Sequence, residues 1–257
     1  MMPGVETIRD VIADLRIAAS FVTLLPVGSS KPAADGAIAR ATWALPVAGL
    51  LVGLAGALVY KISSRLGLTP NLAALLALAT TALITGALHE DGLADTADGL
   101  GGGRTRERRL EIMRDSRIGT YGALALIFSV LMRAFLLAAI AVPGPVLIAL
   151  VASHAAARAL LPAFMQLVPP ARTEGLSAGA GAGGPNTASI ALALGAAALL
   201  PLGHAGAVVA AGLLLALIWA VRRQALAALG GQTGDVLGAL EQLAEILVLA
   251  VACTVLV

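Results

Sequence analysis

Long apolar blocks dominate this chain, and polar residues break them at a small number of places. Residues 41–60, 71–88 and 123–142 each come close to the roughly 20 mainly apolar positions that a helix needs to cross a bilayer. Pro143-Gly144-Pro145 then forces a tight reversal into a fourth span that ends near Val168. Residues 187–202 and 207–221 read as a shorter pair joined by a turn over 201–206. A final helix opens at Gly230-Gly231-Gln232-Thr233-Gly234-Asp235 and runs to Val257. Ahead of all these, residues 7–27 alternate apolar positions with Arg9, Asp10, Asp14 and Arg16 until Pro26 ends the run, which marks an interfacial helix within 1–30. The pattern predicts an all-α, polytopic integral membrane bundle of about seven transmembrane helices plus that N-terminal helix, as a single membrane-embedded domain over 1–257.

Local signals refine the elements. Gly49 and Gly53 stand in small-xxx-small spacing, which lets another helix approach closely, within the chain or in a homo-oligomer. Lys61 and Arg65 close the first span, and Pro70 with Asn71 as N-cap starts the second. The loop 169–185 is Gly-rich, carries Arg172 and Glu174, and is too poor in bulky residues to pack a core, so a mobile lid is expected.

Composition agrees: 59% hydrophobic and 12% charged residues exclude an ordinary soluble domain. The net charge of +2 gives no indication of nucleic-acid binding, and the single Cys253 excludes an intrachain disulfide or a cysteine zinc cluster. Glu6, Asp10 and Asp14 stand where a cleavable signal would have a basic segment. With the N-terminus inside, thirteen Lys and Arg residues fall on the cytoplasmic side and only Lys61 and Arg65 outside, while Arg133 and Arg158 lie within spans. Every motif-bearing loop then shares one face.

The densest chemistry lies in residues 90–122, a cytoplasmic active-site segment. Between Glu90 and Arg117 are thirteen of the chain's charged residues. Asp91, Asp95 and Asp98 stand at i, i+4 and i+7, so on a helix continuing from the second span their carboxylates share one face. Gly99 and Gly101-Gly102-Gly103 mark that helix's end, where the macrodipole already disfavours anions and a divalent cation brings relief. All-oxygen ligands select a hard ion, Mg2+ or Mn2+, held with substrate phosphates. Arg104, Arg114 and Arg117 suit those phosphates, because guanidinium forks bind phosphate oxygens in pairs. Asp115 and the metal aspartates are candidates for accepting a proton. Gly231, Thr233 and Asp235 form a phosphate-nest signal at a helix start. Arg133 near the middle of a span needs a bundle partner or a polar cavity, as does Arg158, one turn from His154. Together with Glu241 and Glu245 these form either a site or a buried ion-pair network. His89 and Glu90 complete the set, His89 as either an interfacial or a catalytic group.

HEDGLADTADG, RDSRIGTYG and GGQTGDVLGA, in this order, resemble the cobalamin synthase family, also called adenosylcobinamide-GDP ribazoletransferase, and the likeness covers nearly the whole chain. It includes SFVTLLPV, Arg133, Arg158 and Arg172-Thr173-Glu174-Gly175-Leu176. The chain departs from the family pattern at Leu24, where F-x-T-R-x-P has arginine, at Gln242, where a Glu-x-x-Glu pair has its first glutamate, and around Gly179 to Gly184. The resemblance implies a Mg2+-dependent enzyme of the bacterial cytoplasmic (inner) membrane. Such an enzyme joins adenosylcobinamide-GDP to alpha-ribazole or its 5'-phosphate and releases GMP. Within that reading Asp91, Asp95 and Asp98 hold the metal, and Arg158 joins Arg104, Arg114 and Arg117 on phosphate. The sequence also leaves two alternatives. A CDP-alcohol phosphotransferase needs D-G-x-x-A-R, but Asp95 follows Asp91-Gly92-Leu93-Ala94 here. A cation transporter would use Arg133, Arg158 and Glu245 as coupling groups.

Overall fold

The computed structural model describes residues 8–27, 36–173, 179 and 181–257, and every regular element among them is a helix. The amphipathic α1 (Ile8–Val22) is held by its one fully buried acid: Asp14 accepts hydrogen bonds from Arg40 Nε at 3.1 Å and Trp43 Nε1 at 3.0 Å. A short α2 (Ala37–Ala41) and one 3-10 turn lead into α3 (Leu45–Arg65), so the first apolar crossing covers Ala37–Arg65. Gly49 and Gly53 do what their spacing suggests, within the chain. A Cβ at Gly53 would lie 2.6 Å from Leu150 O, and one at Gly49 would strike His154 O, both on α8 (Pro143–Leu167). That close approach is closed to a second subunit.

α4 (Pro70–Thr85) begins one residue before Asn71, with Thr69 as its cap. It does not continue into the acidic motif as the sequence suggests. Gly86 (φ 62°) and Ala87 (φ 54°) both turn left-handed, and the chain bends by 90° into α5 (Leu88–Gly102). Ala87 N donates to Ala82 O and Gly86 N to Leu83 O, which satisfies the last carbonyls of α4 at the break. Leu24 N also reaches Ile84 O at 2.7 Å. A short α6 (Arg106–Ile112) precedes α7 (Thr120–Ile140). After α8 come α9 (Pro185–Leu199), a 3-10 turn, α10 (Gly203–Leu229) and α11 (Gly234–Val255).

α8 and α11 form the centre, 83% and 72% buried over their most apolar stretch, whereas α7 is 28% buried and presents its apolar face outward. Five helical stretches are long and apolar enough to cross a membrane, six if the bent pair α4–α5 is one span, as befits a multi-pass membrane protein. The stretch Pro185–Leu229 counts once among them, yet it doubles back at Gly203 (φ 77°). Gln166 holds Gly183 and Gly184 beside the end of α8, a Cβ on Gly206 would lie 3.3 Å from Val255, and Leu229 O returns to Arg106. α9, with 15 residues, is only about 22 Å long at 1.5 Å per residue and so is short for a crossing by itself, whereas α10 has 27 residues. α10 runs past Arg222 and Arg223, whose guanidinium stacks 5.7 Å from the Trp219 ring, and ends six residues later at Leu229. Of the loop 169–185, residues 174–178 and 180 lie outside the described residues, and the lid expectation rests on them.

Candidate active site

The loop 168–173, the starts of α9 and α11, and the ends of α8 and α10 meet at one end of the bundle, with α5 leading into it. Two glycines set the approach of α5 to α11. A Cβ on Gly92 would stand 2.8 Å from Asp235 O, and one on Gly238 3.0 Å from His89 O. The helices therefore touch backbone to backbone, and Asp91 and Asp235 come to line one cavity of about 260 Å³. A second cavity, about 430 Å³, opens on the other face of α5 and is lined by Glu90, Asp91, Asp95, Arg114 and Asp115. Asp91 faces both.

The three carboxylates all lie on α5, but the break at Gly86 changes their place in the helix. Because α5 starts afresh at Leu88, Asp91 sits in its first turn, where the helix dipole favours an anion. Asp98 is buried and engaged elsewhere: Oδ2 accepts from Gly119 N at 2.7 Å and Oδ1 from Gly122 N at 2.8 Å. It thus serves the N-terminus of α7, which has no cap of its own. Among the described residues, His154, Glu241 and Glu245 are the one group whose ligand atoms lie within 4.8 Å of one another; Asp91, Asp95 and Asp98 do not converge so tightly.

Gly231 and Thr233 have structural work. A Cβ on Gly231 would collide with Pro169 O, and the close approach lets Gln232 N reach Pro169 O and Ala171 N reach Gln232 O, each at 2.8 Å. Thr233 caps α11 through Val236 N and donates to Asp235 Oδ2 at 3.1 Å. Arg172 Nη2 lies 3.4 Å from Asp235 Oδ2. Burial lowers the Arg172 guanidinium from its usual range, and the Asp235 carboxylate opposes that shift. Arg106 and Arg109, which sequence did not single out, donate to Leu229 O and Ala228 O and so cap α10. Arg114 lines the second cavity. Arg104 is exposed just beyond α5. Arg117 grips Asp115 with its Nε at 3.0 Å and Nη2 at 2.6 Å, and those bonds hold the Asp115 carboxyl down to about 2, which makes it a poor proton acceptor.

Behind α5 lies a buried ionic network. Arg158 is 1% exposed and pairs with Glu241 and, at 3.0 Å, with Glu245. Its enclosure removes it from the phosphate contacts expected of it. Arg133 bridges Glu245 at 3.0 Å and Glu90 at 3.2 Å. His154 meets Glu245, and His89 Nδ1 lies 3.3 Å from Arg158 Nη2. Gln242, known from the sequence only as a departure from the family pattern, donates to Glu90 at 3.3 Å and Glu241 at 3.1 Å and accepts from Ser129. Each intramembrane arginine therefore has carboxylate partners on other helices, as low dielectric demands. His89 and Glu90, the two residues that precede Asp91, tie the network to the first turn of α5.

Comparison with known proteins adds an independent line. A family model described as cobalamin-5-phosphate synthase matches residues 14–253. A protein of Bradyrhizobium diazoefficiens is 73% identical over 259 residues, covering 98% of this chain and 97% of its own length, and bears the name adenosylcobinamide-GDP ribazoletransferase. One of Mesorhizobium japonicum with the same name is 52% identical over 248 residues, covering 96% and 95%. No solved structure matches the chain.

Proposed function

Because the chain belongs to the cobalamin-5-phosphate synthase family, we propose that the two cavities meeting at Asp91 house the reaction of an adenosylcobinamide-GDP ribazoletransferase. The observation that carries this reading is Asp91 on the wall of both cavities, with Asp95 on one side and Asp235 on the other. Transfer between two bulky substrates needs acceptor and leaving group on opposite sides of one phosphorus, and a carboxylate between two cavities stands where such a phosphorus would lie. A ribazole hydroxyl oxygen bonds to the phosphorus on the cobinamide side of the diphosphate. The bond from that phosphorus to the bridging oxygen breaks, and GMP leaves with the electron pair. The hydroxyl proton passes to one of the aspartates on this ridge. Arg114 in the second cavity and Arg172 beside Asp235 are the cations placed to hold phosphate oxygens.

The donor set fits Mg2+, which is usually held by one or two carboxylates plus substrate phosphates and not by an all-protein cage. Asp91 and Asp95 would hold it, Asp98 being occupied by backbone N–H groups. When bound, it neutralises the diphosphate and stabilises the charge on the departing phosphate. The bias of basic residues toward this end supports a cytoplasm-facing site in the bacterial inner membrane. The test is purified protein in nanodiscs with adenosylcobinamide-GDP, alpha-ribazole or its 5'-phosphate, and Mg2+. GMP and a corrinoid carrying the ribazole are expected; no GMP with either acceptor overturns the reading.

A further inference from the structure

The cavity shared by Asp91 and Asp235 has two chemically distinct parts. Its inner wall is built of Phe21, Leu45, Leu161, Met165 and Leu237, whereas Asp91, Arg172, Gln232 and Asp235 stand on its polar side. Gln232 is 2% exposed, its backbone is tied to residues 169–171, and its Oε1 has no hydrogen-bond partner. Arg172 Nε is likewise buried without one. A buried, unpaired amide oxygen keeps its full desolvation cost, so a ligand hydroxyl that reaches it would be recognised strongly.

Size and polarity select among the reaction's components. At about 260 Å³ the cavity lies near the lower edge of small-molecule sites and is too small for a corrin macrocycle with its amide side chains. Guanine carries donors and acceptors around its whole edge, and burying them against leucine, methionine and phenylalanine would leave them unpaired. An alkylated bicyclic base has an apolar outer edge, and its polar groups are on the attached ribose. Met165 sulfur and the Phe21 ring are also suited to an aromatic face.

Resting on the transferase reading above, we propose that this cavity is the acceptor subsite. It takes the dimethylated benzimidazole ring of ribazole between Phe21, Leu161 and Met165, and Gln232 accepts a hydrogen bond from a ribose hydroxyl. The ribose then lies beside Asp91, and the donor's GDP portion belongs to the second cavity with Arg114.

The test is steady-state kinetics of the full chain in nanodiscs, following GMP release, together with equilibrium dialysis of radiolabelled alpha-ribazole alone. Leu161→Phe, which fills the cavity, is expected to raise the KM and the dialysis Kd for ribazole at least tenfold and leave the KM for adenosylcobinamide-GDP within twofold. Gln232→Met is expected to raise the ribazole KM at least fivefold. Leu161→Ala is expected to improve the use of a riboside with a larger base, such as a naphthimidazole, at least tenfold relative to ribazole, a gain that no folding defect produces. A rise in the donor KM with the ribazole KM unchanged overturns the assignment, as do unchanged constants for both substrates. Wild-type protein that binds ribazole in a Leu161-dependent way but releases no GMP overturns the transferase reading and leaves the subsite standing.

Discussion

Gly92 on α5 and Gly238 on α11 pack so closely that a Cβ on either would lie 3.1 Å from the other's Cα. Alanine at either position gains roughly 1 kcal/mol of helix propensity, but the atoms it meets are backbone and cannot turn aside. The clash wins, and α5 must move away from Asp235. Gly92→Ala is expected to lower transferase activity at least tenfold. Gly212→Ala, on α10 with open space around it, leaves activity unchanged. Equal effects in GMP-release assays would refute this account of the helix contact.

Asp98 offers a choice between capping and metal binding. As the partner of Gly119 N and Gly122 N it stabilises the first turn of α7, and its loss costs about 1–2 kcal/mol. Asp98→Ala is therefore expected to lower the Tm in detergent while the Mg2+ concentration for half-maximal activity stays within threefold. A tenfold rise in that concentration at unchanged Tm would make Asp98 a ligand.

The pH behaviour of Asp115 follows from Arg117. A carboxyl held down to about 2 contributes its stability above the ordinary carboxylate range near 4 and loses it only as pH falls toward 2. Between pH 5 and 8 it stays ionised. Asp115→Asn is expected to leave both limbs of the pH–rate profile in place. Disappearance of the acidic limb would restore Asp115 as the general base.

In the buried network, removing one partner strands a charge, at a cost of about 3–5 kcal/mol. Arg158→Ala should fall sharply in yield and Tm, and Arg158→Ala with Glu241→Gln should recover part of the loss, because the excess negative charge is then reduced. A double variant no better than the single one would speak against the pairing.

Much of this was legible in the chain. Proline, glycine and charge mark where α7, α8 and α11 begin and end, and the i, i+4 spacing of Asp91 and Asp95 survives on α5. The break before α5 was not legible, because Ala87, an alanine, carries no residue signature for its positive φ. Neither was the fate of Asp98, whose partners are backbone N–H groups more than twenty residues on, whereas the buried ion-pair network of Arg133, Arg158, His154, Glu241 and Glu245 was one of the two readings open in the sequence. Gly231 suggested a phosphate nest by local pattern alone, whereas the space it leaves is filled by Pro169. The alternatives of a CDP-alcohol phosphotransferase and a cation transporter gave way to the family match over 14–253.

Asp91, on the wall of both cavities, bears the central claim. The most direct measurement is single-turnover GMP release by Asp91→Asn, with adenosylcobinamide-GDP, alpha-ribazole and saturating Mg2+, in protein that elutes as the wild type does. The expected result is a loss of at least a thousandfold at an unchanged Tm. Release within tenfold of the wild-type rate would contradict it.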